Sequence, residues 1–167
     1  ILNDYQMSMD VSDAYDTPIT VTPKSDAPLF ITLYEEGIPL EDIIPTQQQG
    51  VKLARAFYGK EGHEIPVDAL SQGQPFWVRY QVINQSGNPL KELALSSLLP
   101  AGWEIINPRL TQQNLPTWIQ SYNPDNGDYM DIRDDRVNWF FDLHTGQKNF
   151  FIQVNPTFAG AYTLPPV

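Results

Sequence analysis

An all-β, antiparallel sandwich is what this sequence predicts, and three observations predict it. Short runs of β-branched and aromatic residues alternate with a period of two. Clusters of Gly, Pro, Asn, Asp and Ser separate them, and no segment keeps helical periodicity over three turns. Fifteen prolines against ten glycines in 167 residues favour many short elements joined by stiff connections. A chain of this length can bury a proper core, as one domain or as one domain with part of another.

Taken in order, PITVTPKSDAPLFITLY (18–34) reads as a strand, a turn and a strand around the polar PKSDAP. GIPLEDIIPTQQQG (37–50) breaks the pattern with Pro39, Pro45 and a polar tract, and marks a linker or domain boundary. VKLARAFYG resumes as a strand, and GKEGHE is a glycine-punctuated turn. PFWVRYQVIN (75–84) is the clearest strand, with Phe76, Val78, Tyr80 and Val82 on one face and Trp77, Arg79, Gln81 and Ile83 on the other. NQSGNPL follows as a turn. In KELALSSLLPAGWEIINPRL (91–110), Leu93, Leu95 and Ser97 alternate with Ala94 and Ser96 before a turn at 100–102; the stretch also has room for a short helix. YMDIR, RVNWFFDL and KNFFIQVNP are three further strands, and GAYTLPP reads as a final strand that stops at its prolines.

Twenty acids against ten bases give a formal charge of -10, which repels phosphate backbones and argues against nucleic-acid binding and against anionic membrane surfaces. With no cysteine, disulfides, thiolate metal sites and cysteine nucleophiles are excluded within this chain. No apolar run approaches the roughly 18 residues needed to cross a bilayer. ILNDYQMSMD lacks a basic start and an apolar h-region, and the chain reads as a fragment of something larger.

Chemistry-bearing patterns are sparse. DYMDIRDDRVNWFFDL (128–143) gathers five aspartates around Arg133 and Arg136. As a calcium loop, NPDNGDYMD has Asn123, Asp125 and Gly127 at alternate positions, but Tyr122 stands where the first ligand belongs. As a glycosidase pair, Asp131 and Asp134 or Asp135 would have to flank a sugar; a charge-balanced hairpin is the simpler account. His63 and His144 lie in separate turns with no metal-ligand spacing, and no serine elbow or phosphate loop is present. NQS at Asn84 matches a glycosylation acceptor. No catalytic, cofactor-binding or metal residues are assigned. Trp77, Trp103 and Trp139 sit in or beside strands as core residues. Trp118 lies in the loop QQNLPTWIQSYNPDNG, and with Tyr122 it is the candidate interaction surface.

LPAGWEIINPRL (99–110) followed by DYMDIRDDRVNWFFDL, then NPTFAGAYTLPPV (155–167), with GVKLARAFYGKEGHEI upstream, resembles the C-terminal macroglobulin-like domain of bacterial alpha-2-macroglobulins over about residues 46–167. DAPLFITLYEEGIP resembles the end of that family's preceding CUB-like domain. The resemblance implies CUB-like strands or linker over 1–44 and a fibronectin/immunoglobulin-like sandwich over 45–167. It also implies a non-catalytic part of a periplasmic or cell-envelope endopeptidase inhibitor, whose parent is a candidate lipoprotein. Such a domain would pack against the thioester or CUB-like domain, help transmit a conformational change, and meet target proteases through the parent protein. The family normally continues past LPPV with one more strand, so an unpaired sheet edge is expected here. The competing reading is a carbohydrate- or peptide-binding sandwich, calcium-assisted, using Trp118, Tyr122 and the acids between Asp125 and Asp131.

Overall fold

The computed structural model describes residues 8–11, 18–24, 28–34, 47–106 and 115–167. The chain divides into two compact units, Ile1–Asp42 and Ile43–Val167. The second is an antiparallel β-sandwich. Its strands are β1 (Val51–Tyr58), β2 (Phe76–Asn84), β3 (Leu90–Leu98), β4 (Trp103–Ile105), β5 (Tyr129–Ile132), β6 (Arg136–Leu143) and β7 (Gly146–Pro156). One sheet runs β1-β2-β7-β4 and the other β3-β6-β5.

Side-chain alternation puts the expected apolar sets inside. Phe76, Val78, Tyr80 and Val82 from β2 meet Val137, Trp139 and Phe141 from β6 and Phe150, Ile152 and Val154 from β7, all buried. The aromatic rings interlock: Trp139 lies 5.3 Å from Tyr80 and 5.4 Å from Phe150, and Phe141 lies 4.7 Å from Phe150. Such offset and edge contacts add to the burial of large rings. Ser97 faces inward from β3, as its alternation with Ser96 predicts, and its hydroxyl meets the Tyr80 hydroxyl at 2.6 Å across the two sheets. This pairing satisfies two polar groups that would otherwise be costly in the core.

The acidic run is architectural, as expected. β5 and β6 pair with Ile132 opposite Val137, Arg133 N–H donates to the Arg136 carbonyl at 2.9 Å, and Asp134-Asp135 forms the turn. Asp131–Arg133 and Asp135–Arg136 ion pairs at 3.0 and 2.7 Å balance its charge.

Four expectations are corrected. No helix forms in 91–106; the alternation there carries β3 and β4, and a bulge after Leu90 places Glu92 at φ +54°, with its N–H donating to Asp142 at 2.9 Å. A helix, α1 (Thr117–Gln120), forms instead in the stretch read as a loop. GAYTLPP forms no ladder: Pro165 and Pro166 have no N–H to donate, and the tail is held by Leu164 against the core and by Arg55, which donates to the Pro165 carbonyl at 2.9 Å. The described parts of 18–34 carry no strand, and Leu29, Ile31 and Leu33 are exposed; an extended segment becomes a strand only when a neighbouring strand takes its backbone hydrogen bonds. The boundary read at 37–50 falls largely on 35–46, outside the described residues.

β1 and β3 end their sheets on the same open side of the sandwich. Between them lies a groove of about 220 Å³ lined by Val51, Leu53, Val82, Leu93, Leu95 and Phe141.

Candidate functional site

The expected outward residues of β2 are not left to water. Trp77 is 4% exposed and Tyr58 5%, because α1 lays the fully buried Ile119 onto them. Trp118, the next residue back, then packs on the rim of this second cluster, 5.3 Å from the Tyr58 ring and 6.0 Å from Phe151. Its indole N–H donates to the Lys60 carbonyl at 3.1 Å. Tyr122 follows one turn later, 6.4 Å from Trp118 and 5.8 Å from Phe151. Trp118 and Tyr122, singled out from the sequence, therefore share one half-buried aromatic platform on the outer face of the four-stranded sheet. The remaining tryptophans are core, as expected.

Two residues that sequence reasoning passed over hold the platform. Arg79 points outward from β2 and stacks its guanidinium 4.3 Å from the Tyr122 ring centre. Its Nε and Nη2 both donate to Asn149 Oδ1, at 3.0 and 2.9 Å, and its Nη1 reaches the Tyr58 hydroxyl at 3.4 Å. Asn149, buried on β7, passes the connection on by donating to the Tyr122 carbonyl at 2.8 Å. The only sequence signal was an arginine at an outward position of an otherwise apolar strand; its partners are far away in the chain. The hydrogen bond with the Tyr58 hydroxyl, aided by slight burial, raises the Tyr122 pKa, and Arg79 opposes the rise. A stacked cation among rings can receive an aromatic, an amide or an acid, but it supplies no nucleophile or general base.

Asp125 closes the loop after the platform. Lys148 pairs with Oδ2 at 2.6 Å, and Oδ1 accepts from the Gly127 N–H at 2.7 Å. Partial burial pushes the carboxyl pKa up; Lys148 and the backbone donors outweigh it, so the net shift is downward. A depressed pKa stabilises the fold above the unfolded value of about 3.8 and is lost as pH falls through the lower folded value. The Asp125 contacts are expected to titrate with a midpoint below that of a free aspartate, read from the Gly127 amide shift by NMR. Lys148→Met is expected to move the midpoint upward.

This arrangement bears on the calcium reading. Asp125 is committed to Lys148 and Gly127, and Asp131 to Arg133 and Asn138. Among the described residues no group of three or more His, Asp or Glu converges on a metal position. His63 and His144 are exposed and apart. The glycosylation match at Asn84 is overturned as well. Its amide nitrogen, the atom a glycan would need, donates to the Asn88 and His144 carbonyls, both at 2.7 Å.

Gly62 gives the platform its fit. At φ +87°, a Cβ there would lie 2.6 Å from Trp118 Cγ. Gly62→Ala is expected to displace the indole and cost about 1–3 kcal/mol, the usual range for overpacking, read from the urea midpoint and from loss of near-UV circular dichroism.

Comparison with known proteins agrees with the fold. Residues 50–167 match the model of the bacterial alpha-2-macroglobulin MG10 domain. An alpha-2-macroglobulin homolog of Yersinia pestis is 23% identical over 158 residues, covering 85% of this chain and 8% of that protein. The native conformation of Escherichia coli alpha-2-macroglobulin superimposes with a TM-score of 0.67 at 21% identity, over 77% of this chain and 8% of that one. Escherichia coli alpha-2-macroglobulin activated by porcine elastase gives 0.63 at 21% identity, over 71% and 11%. The chain thus spans under a tenth of the Yersinia relative's length. With a sandwich of the expected kind and a family match over most of its length, the chain belongs to the bacterial alpha-2-macroglobulin MG10 family.

Proposed function

We propose that the chain is a non-catalytic domain of a bacterial endopeptidase inhibitor that traps proteases. In this reading it packs against neighbouring domains and helps transmit a conformational change, and residues 1–44 close a preceding CUB-like domain. The family match over 50–167 carries the proposal. The activation by elastase described for the Escherichia coli relative supports the direction of the reading, as does a site built of stacked rings and amides rather than nucleophiles. A location in the periplasm or cell envelope belongs to the same proposal, and so does the use of Trp118 and Tyr122 as an interaction surface.

The test compares this chain with the complete native polypeptide. The 167-residue chain is expected neither to inhibit nor to hydrolyse at micromolar concentration. The complete polypeptide, mixed with elastase, is expected to suppress cleavage of a large protein substrate while sparing a small peptide substrate, because entrapment excludes by size. Inhibition by the 167-residue chain, or no effect of the complete polypeptide, overturns the reading.

A further inference from the structure

The outer face of the β3-β6-β5 sheet is uncovered, and it carries more apolar surface than its charge pattern needs. Ala94, Phe140 and Tyr129 stand in one cross-strand row, since Ala94 and Tyr129 both pair with Phe140 in register. The Phe140 and Tyr129 rings are 5.9 Å apart, yet they remain 41% and 62% exposed. Single exposed rings are ordinary on a sheet surface. A stacked pair in the middle of a flat face is a ready contact for an apolar side chain.

The end of this row is acidic. Asp142 and Asp128 are linked through the backbone: Asp142 Oδ1 accepts from Glu92 N–H at 2.9 Å, and Asp128 Oδ2 accepts from Asp142 N–H at 3.3 Å. These bonds fix both carboxylates in place without neutralising them. Among the described residues neither has a lysine or arginine at ion-pair distance, whereas Asp131 and Asp135 in the adjoining hairpin do.

We propose that this face docks a basic protein surface, one that sets an apolar side chain on the Phe140–Tyr129 pair and a lysine or arginine against Asp128 and Asp142. Charge decides the occupant. A second copy would bring another formal charge of -10 against an acidic rim, and like charges across an interface are costly. A cation beside an apolar group satisfies both parts of the face, with the rings available to share the positive charge. The proposal deepens the reading of the chain as a docking domain and rests on it.

The experiment places a photoreactive benzophenone side chain at position 140 of the complete native polypeptide and, separately, at position 118, with the cross-linked peptides identified by mass spectrometry. At position 140, a cross-link is expected to a peptide that carries Lys or Arg next to an apolar residue. Its yield should fall about tenfold in the Asp128→Asn/Asp142→Asn variant, the loss expected when close charge pairs are removed. The amides keep the acceptors for the two N–H groups, and an unchanged near-UV spectrum verifies folding. Yield should also drop near 1 M salt, where screening acts within roughly 3 Å. A cross-linked peptide without a cation, a link to a second copy, or a yield indifferent to the double variant overturns the proposal. Cross-links from 118 with none from 140 reject this face and leave the docking reading standing; none from either position rejects both.

Discussion

Trp139→Ala is expected to cost about 3–5 kcal/mol, the range for deleting a large buried aromatic. The ring is 1% exposed and lies on β6, the middle strand of its sheet. It bridges the layers, touching Tyr80 of β2 and Phe150 of β7. Because those rings belong to a different sheet that is hydrogen-bonded independently, the cavity cannot close by a small shift of one strand. A domain of this size has only about 5–15 kcal/mol of stability in total. Urea unfolding followed by far-UV circular dichroism should show a large drop in midpoint with little change in slope. A loss below about 1 kcal/mol would mean that Trp139 does not join the two sheets as described.

The second large effect comes from the polar pair inside the same core. Tyr80→Phe leaves the Ser97 hydroxyl buried without its partner, and a stranded buried group costs about 1–3 kcal/mol. Ser97→Ala is expected to cost less. The guanidinium of Arg55 also interacts with the Tyr80 hydroxyl, so that oxygen keeps a neighbour when the serine is lost. The double variant Tyr80→Phe/Ser97→Ala should recover part of the loss, because no orphaned hydroxyl remains between the sheets. Denaturation of the four proteins in a double-mutant cycle checks this. Additive costs would show that the two hydroxyls do not depend on each other.

Which parts were legible follows from the range of the interactions. β2, β6 and β7 could be read because alternation is a local pattern, and Phe76, Val78, Tyr80 and Val82 lie on the face it assigned. The Asp134-Asp135 hairpin was legible for the same reason: its charges are balanced within four residues. Trp118 and Tyr122 were found as a pair because they sit four apart beside a turn. Their surroundings were not legible. α1 has four residues, too few for any helical period to show, and Ile119 looked like a loop residue. Arg79 reaches Asn149 across 70 positions, a separation at which sequence pattern carries no information. The fate of GAYTLPP was a matter of weighing signals. Its alternation suggested a strand, but two successive prolines removed the donors a ladder requires.

The covering of β2 by α1 has a dynamic consequence. The sandwich itself is knit by long antiparallel ladders on both sides of β2, whereas the α1 segment rests on one buried isoleucine, a ring of aromatics and the Arg79–Asn149 link. Elements with few buried contacts open more often than the global fold. Amide exchange should therefore come in two tiers, with the segment that carries Trp118 and Tyr122 lifting while the ladders beneath stay closed. Each such excursion bares Tyr58 and Trp77, turning a sealed face into a sticky one without unfolding the domain.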